Sequence, residues 1–176
     1  MASTPATSNT SIAVSGLARS TTYYWQVRST NSTDTTLADG NVWWSFTTLP
    51  PAPDAFTKSS PADGSIDQPI DLSLNWNPAT GATSYEYCYY AEGNPSACNE
   101  PWVLSTINTS VSLNGLSGNT KYYWQVRAVN VGGKTNADGG TWWAVTTVKI
   151  PPAPFNKSAP ADGAINQLLT PTISWE

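Results

Sequence analysis

The stretch YYWQVR stands at positions 23–28 and returns, letter for letter, at positions 122–127. Sliding the chain against itself by the same 99 positions aligns far more than these six residues. Ala-Asp-Gly at 38–40 falls on Ala-Asp-Gly at 137–139, Trp43-Trp44 on Trp142-Trp143, and Thr47-Thr48 on Thr146-Thr147. Beyond them Lys58-Ser59 meets Lys157-Ser158, PADG at 61–64 meets PADG at 160–163, and Trp76 meets Trp175. An ungapped repeat of this length is the mark of one structural unit used more than once.

The frame of the repeat is unusual. Residues 1–49 match 100–148, the back of a unit, and 150–176 match 51–77, its front. Only the middle, about 52–149, is a complete unit, and the other is split between the two ends without any counterpart of 78–99. Met1-Ala2-Ser3 looks like an added translation start, as expected of a segment cut from a longer protein.

Eight Lys or Arg stand against twelve Asp or Glu, and there is no histidine. A net charge of −4 without a basic cluster speaks against nucleic acid as a partner, since that affinity comes from neutralising phosphates. No apolar run approaches the roughly 20 residues of a membrane helix, so no membrane insertion is expected. A charged start followed by an apolar signal core is also absent from this sequence. The two cysteines, Cys88 and Cys98, flank Gly-Asn-Pro in CYYAEGNPSAC. That spacing suits a hairpin-like connection closed by a disulfide, two free buried thiols being the alternative. A disulfide would put the protein outside a reducing cytoplasm, at the cell surface or secreted.

Apolar residues alternate along most of the complete unit. Leu72, Leu74 and Trp76 alternate with polar neighbours, as do Tyr85, Tyr87 and Tyr89. Val111, Leu113 and Leu116 follow, then Tyr122, Trp124, Val126 and Ala128, and finally Trp143 and Val145. Turn sequences such as Pro-Ala-Thr-Gly, Ser-Gly-Asn and Asp-Gly-Gly separate the runs. No segment carries a sustained helical stripe. Short strands with one apolar face each, packed in fewer than about 100 residues, specify an all-β two-sheet sandwich.

The set LSLNW, GATSYEY, GLSGNTKYYWQVRAVNVGG and WWAVTT resembles a fibronectin type III (immunoglobulin-like) domain. With PADGSIDQP ahead of the second strand, it is most similar to the tandem type III repeats of prokaryotic surface and secreted proteins. The resemblance implies that Trp76 is the buried strand-B tryptophan, Tyr122 the strand-F tyrosine that closes the loop from strand E, and Leu116 the plug of that loop. It divides the chain into 1–49, carrying strands E, F and G of one repeat; 50–150, a complete repeat; and 151–176, carrying strands A and B of another. No Arg-Gly-Asp loop is present, so the resemblance implies no integrin binding. Cys88 and Cys98 are not a general feature of such domains.

Little here suggests catalysis. There is no histidine base, no Gly-x-Ser-x-Gly elbow and no phosphate-cradling loop, so no catalytic, cofactor or metal residues are expected. Asp54, Asp63, Asp67 and Asp71 sit among turn residues and read as solvated turn formers rather than a glycosidase pair. Asp63-Gly64 and Asp138-Gly139 read as tight turns, because a calcium loop needs several converging oxygens. Four Asn-x-Ser/Thr patterns begin at Asn9, Asn31, Asn108 and Asn156; they permit glycosylation and imply no more.

If Trp124 and Val126 point inward, Tyr123 points outward, and Trp142 does so beside inward Trp143. With strands F and G adjacent, Tyr123, Trp142 and Tyr90 line one outer face, with Arg127 able to lie across a ring. Tyr24 and Trp43 repeat this face in the split unit. Three uses are open: stacking of polysaccharide sugar rings, a contact with a neighbouring repeat or chain, or simple cover for the sheet.

LPPAPDAF (49–56) and KIPPAPF (149–155) join the units, and their prolines favour a stiff, extended chain. The split unit leaves Trp25, Val27, Trp44, Phe46, Phe155, Ile173 and Trp175 without a core. The expectation is that the tail of one chain completes the head of another, giving head-to-tail polymers. Strand C would be missing beside strand F, with Ser3–Ser8 or a separate peptide to fill the gap. The sequence therefore describes a non-catalytic repeat of an extracellular stalk, adhesin or filament, the alternative being a carbohydrate-binding or spacer module.

Overall fold

The computed structural model describes residues 8–94, 98, 102–105 and 107–176. In the first end segment β1 (Thr22–Trp25), β2 (Arg28–Thr30), β3 (Thr35–Leu37) and β4 (Trp44–Thr47) form two short antiparallel pairs, β1 with β4 and β2 with β3.

The complete unit holds β5 (Lys58–Ser60), β6 (Ser65–Gln68), β7 (Leu72–Trp76), β8 (Ser84–Ala91), β9 (Val103–Ser105), β10 (Ser110–Leu113), β11 (Lys121–Asn130), β12 (Gly133–Asn136) and β13 (Trp143–Thr147). One sheet runs β10-β7-β5, strands E, B and A of the type III scheme. The other runs β6-β13-β11-β8-β9, with β12 also paired to β11. Strand β8 is therefore C, β11 is F, and β12 with β13 is G. The last segment adds a single antiparallel pair, β14 (Lys157–Ala159) with β15 (Ser174–Trp175).

The core is built by the alternation in the sequence. Leu72, Leu74 and Trp76 of β7 face Tyr122, Trp124, Val126 and Ala128 of β11 across the sandwich, joined by Tyr85, Leu113 and Val145. Leu116 and Phe56 plug its ends, while Tyr87, Tyr89 and Trp143 are half-buried against its edges. Trp76 packs on Tyr85 at 5.5 Å between ring centroids and Trp124 on Trp143 at 5.9 Å. Rings of this size each bury about 150–250 Å² and dominate such a core. The Tyr122 hydroxyl accepts the Ser117 amide at 2.9 Å, closing the loop before β11.

The two linkers meet opposite ends of β11. A Cβ on Gly132, just past its C-terminal end, would lie 2.1 Å from the Pro50 carbonyl oxygen. One on Gly118, just before its N-terminal end, would lie 2.6 Å from the Ile150 side chain. The backbone approach at Gly132 requires glycine, while at Gly118 the Ile150 side chain would have to move; the intervening strand holds the two contacts about 30 Å apart at ~3.3 Å per residue.

The end segments keep their local structure but lose their cores. β1 and β4 pair Tyr23 with Phe46 and Trp25 with Trp44, the same register in which β11 and β13 pair Tyr122 with Val145 and Trp124 with Trp143. The Tyr23 hydroxyl accepts the Ala18 amide at 2.8 Å, as Tyr122 does for Ser117. Strand E is the exception among the strands expected in 1–49: residues 11–18 form no strand. The reason is physical. In the complete unit β10 pairs with β7, and the counterpart of β7 lies at the far end of this chain. Of the stretch expected to fill the strand-C gap, residues 3–7 lie outside the described residues.

Candidate interaction surfaces

The first site is a buried lysine. The period-two ladder between strands F and G breaks at Ala137–Gly140, where Asp138 and Gly139 take φ values of 50° and 63°. This bulge leaves Gln125 of β11 without a backbone neighbour on G, and its side chain fills the gap. The Gln125 amide donates to the Thr141 carbonyl at 2.8 Å and the Ala137 carbonyl at 3.3 Å, while its oxygen accepts the Val126 amide at 2.8 Å.

Lys58 reaches this bulge from β5 in the opposite sheet. Its Nζ donates to Gln125 Oε1 at 3.0 Å and the Thr141 carbonyl at 2.7 Å, and lies 2.8 Å from Asp138 Oδ2. It also sits over the Trp143 and Trp124 rings, 5.2 and 5.6 Å from their centroids. The Lys58 backbone amide donates to the same Asp138 carboxylate. Burial pulls the ammonium below the ordinary lysine value, and the hydrogen bond and charge of Asp138 oppose that pull, aided by the Asp63 charge. A buried cation is retained only with such partners.

The second site is the outer face of strands C, F and G. Tyr90 stacks on Tyr123 at 5.3 Å and meets Trp142 edge-on at 5.3 Å. Three of the residues assigned to this face from sequence therefore touch. Trp102, which sequence reasoning missed, extends the strip to Trp142 at 6.0 Å and carries Arg127 over its ring at 4.3 Å. Arg127 and Lys134 both pair with Glu86. Burial alone would raise the Glu86 carboxyl; the hydrogen bonds and charges of Lys134 and Arg127 outweigh it and hold the group below the usual range. Cys88 of β8 is joined to Cys98 in a disulfide with Cα atoms 5.7 Å apart. Tyr24 and Trp43, the counterparts in the first segment, are exposed.

The carboxylates in the turns serve the backbone. Asp63 accepts the Ala144 amide at 2.8 Å and Asp71 the Gly115 amide at 2.7 Å. Among the described residues no group of three His, Cys, Asp or Glu side chains could hold a metal ion.

The third surface is at the two ends. Trp25 is 46% exposed where its counterpart Trp124 is 1% exposed, and Trp175 is 65% exposed where Trp76 is 3%. Val27, Trp44, Phe46, Phe155 and Ile173 are exposed as well.

The complete unit is thus an all-β sandwich of two sheets with the A-B-E and G-F-C arrangement. Its fold is that of a fibronectin type III domain. Solved structures similar to the chain include the chicken CNTN1 FN1-FN3 domains, 19% identical over 76% of this chain and 45% of that one, TM-score 0.49. A Fn3-like protein from Clostridium thermocellum is 22% identical over 57% of this chain and 95% of that one, TM-score 0.36. A two-domain fibronectin type-III segment from chicken tenascin is 24% identical over 62% and 57%, TM-score 0.40. The chain spans less than half of the CNTN1 fragment. No protein-family model and no curated protein matches the sequence.

Proposed function

We propose that this chain is a non-catalytic structural repeat of an extracellular stalk, adhesin or filament, and that its partial units complete each other between molecules. The observation that carries this reading is the preserved geometry of the ends. The β1/β4 pair and the β14/β15 pair keep the registers of the complete unit while exposing the faces that the complete unit buries. Each is half of one sandwich, and burying such rings yields about 25 cal/mol per Å².

The first linker packs at one end of β11 and the second at the other, so the two partial units leave the complete unit at opposite ends, an arrangement that favours completion between molecules. The contact is heterologous and does not close, so it propagates as a filament. The disulfide supports an extracellular setting.

Light scattering of the purified chain over a concentration range, paired with negative-stain microscopy, tests the proposal. Mass rising with concentration, with thin fibres, is the expected result; a constant 18.8 kDa species defeats it.

A second reading rests on the outer face. Tyr90, Tyr123, Trp142 and Trp102 form a continuous aromatic strip, a shape on which polysaccharide rings stack. Retardation by soluble glycans in native gels, lost in Trp142→Ala, would favour this reading; equal mobility with and without glycan would dismiss it.

A further inference from the structure

The buried lysine of the complete unit has a counterpart at the end of the chain, and every partner it needs has a counterpart at the beginning. Lys58 corresponds to Lys157, Gln125 to Gln26, Asp138 to Asp39, Thr141 to Val42, and the Trp124/Trp143 pair to Trp25/Trp44.

The receiving side is already built. The Gln26 amide donates to the Val42 carbonyl at 2.9 Å and the Ala38 carbonyl at 3.1 Å, and its oxygen accepts the Val27 amide at 2.7 Å. These are the contacts of Gln125, bond for bond. Asp39 has φ 48° and ψ 35°, against 50° and 36° for Asp138. Trp25 and Trp44 meet edge-on at 5.7 Å, as Trp124 and Trp143 do at 5.9 Å. What the socket lacks is its cation.

The entering side is built too. Lys157 pairs with Trp175 across β14 and β15 in the register that pairs Lys58 with Trp76 across β5 and β7. Lys157 is exposed and, among the described residues, neither it nor Asp39 makes an ion pair. The next contact along the seam is also present in both halves. Asp63 and Gly64 bond the Ala144 backbone in the complete unit, and Asp162, Gly163 and Ser45 stand at the matching positions.

We infer that Lys157 of one molecule enters the Gln26–Asp39–Val42 socket of another, over Trp25 and Trp44, and is the residue that sets partner and register at the head-to-tail junction. The inference rests on the polymer reading above and specifies its occupant as a second copy of this chain. Apolar faces alone would associate in many registers. A lysine that must be desolvated tolerates only the register that supplies a carboxylate and two acceptor oxygens.

Exchanged charges test it. A Lys157→Asp chain sets carboxylate against carboxylate at every junction, and an Asp39→Lys chain sets ammonium against ammonium. Each is expected to associate about a hundredfold more weakly than the unaltered chain in sedimentation velocity. Mixed in equal amounts, the two chains offer only opposite charges at alternating junctions, and association should return to within about tenfold of the unaltered chain. Both substitutions lie outside the complete unit, so its thermal unfolding serves as the folding control. If both variants associate as well as the unaltered chain, or the mixture stays as weak as its components, the lysine key is wrong while the polymer reading stands. If the unaltered chain itself stays monomeric, both fall.

Discussion

The ammonium of Lys58 lies 2.8 Å from the Asp138 carboxylate, and this pair joins strand A of one sheet to the bulge in strand G of the other. The lysine side chain is fully buried and the carboxylate mostly so. Breaking a buried pair by removing one member costs about 3–5 kcal/mol, because the other charge is left without its counter-ion. Lys58→Ala should therefore lower the unfolding free energy of the complete unit by that amount in urea titrations. A loss below ~1 kcal/mol would mean that the pair does not tie the sheets together.

Gln125 has the other supporting part. Its removal in Gln125→Ala leaves the Ala137 carbonyl and the Val126 amide short of a partner and takes one acceptor from Lys58, while the Thr141 carbonyl keeps its bond to Lys58. The expected cost is about 1–3 kcal/mol. Coupling with Lys58→Ala, measured in a double-mutant cycle, should be clearly non-additive since the two side chains are bonded.

Glu86 gives the acid dependence. Its carboxyl is held below the ordinary 4.5 by Lys134 and Arg127, which outweigh burial. A depressed carboxyl contributes stability that is complete above its unfolded value and is lost as pH falls through its lowered folded value. Stability should decline as pH drops below about 4.5, and Glu86→Gln should flatten that part of the profile. An unchanged slope in the variant would assign acid sensitivity elsewhere.

Reducing the Cys88–Cys98 disulfide opens a loop of sequence separation 10. The chain-entropy relation gives about 3 kcal/mol for a loop of this size. Reduced protein should melt at a lower temperature. Identical melting with and without reductant contradicts this.

The proposed head-to-tail junction would lack strand C, because the split unit has no counterpart of 78–99; among the described residues β1 pairs with β4 and β2 with β3 alone. A synthetic peptide with the sequence of 82–91, serine replacing the cysteine, supplies the missing alternation of tyrosines. It should strengthen association of the chain, read as a lower concentration for half-assembly. No effect would argue that the open edge is satisfied in another way.

The strands that build the core were legible because inward residues of β7, β8, β11 and β13 repeat every second position. The outer aromatic face was partly legible by the same rule, which put Tyr123, Tyr90 and Trp142 on one side. Trp102 was not, since it stands outside the alternating runs, just ahead of the short strand β9. The lysine socket was hidden for a different reason. Alternation assigns Gln125 to the outside, and nothing in period two announces a bulge with positive φ at Asp138. The available signal was the recurrence of Lys, Gln and Asp at the repeat spacing, polar residues repeated as faithfully as the aromatics. Strand E of the first segment failed because its alternation has no adjacent strand to pair with.

Hydrogen exchange of the 176-residue chain at low and at high concentration tests the central claim most directly. If separate molecules complete each other, amides of Trp25–Val27 and Ile173–Trp175 exchange quickly when dilute and become protected when concentrated. Exchange in both segments that stays fast and independent of concentration would contradict the account.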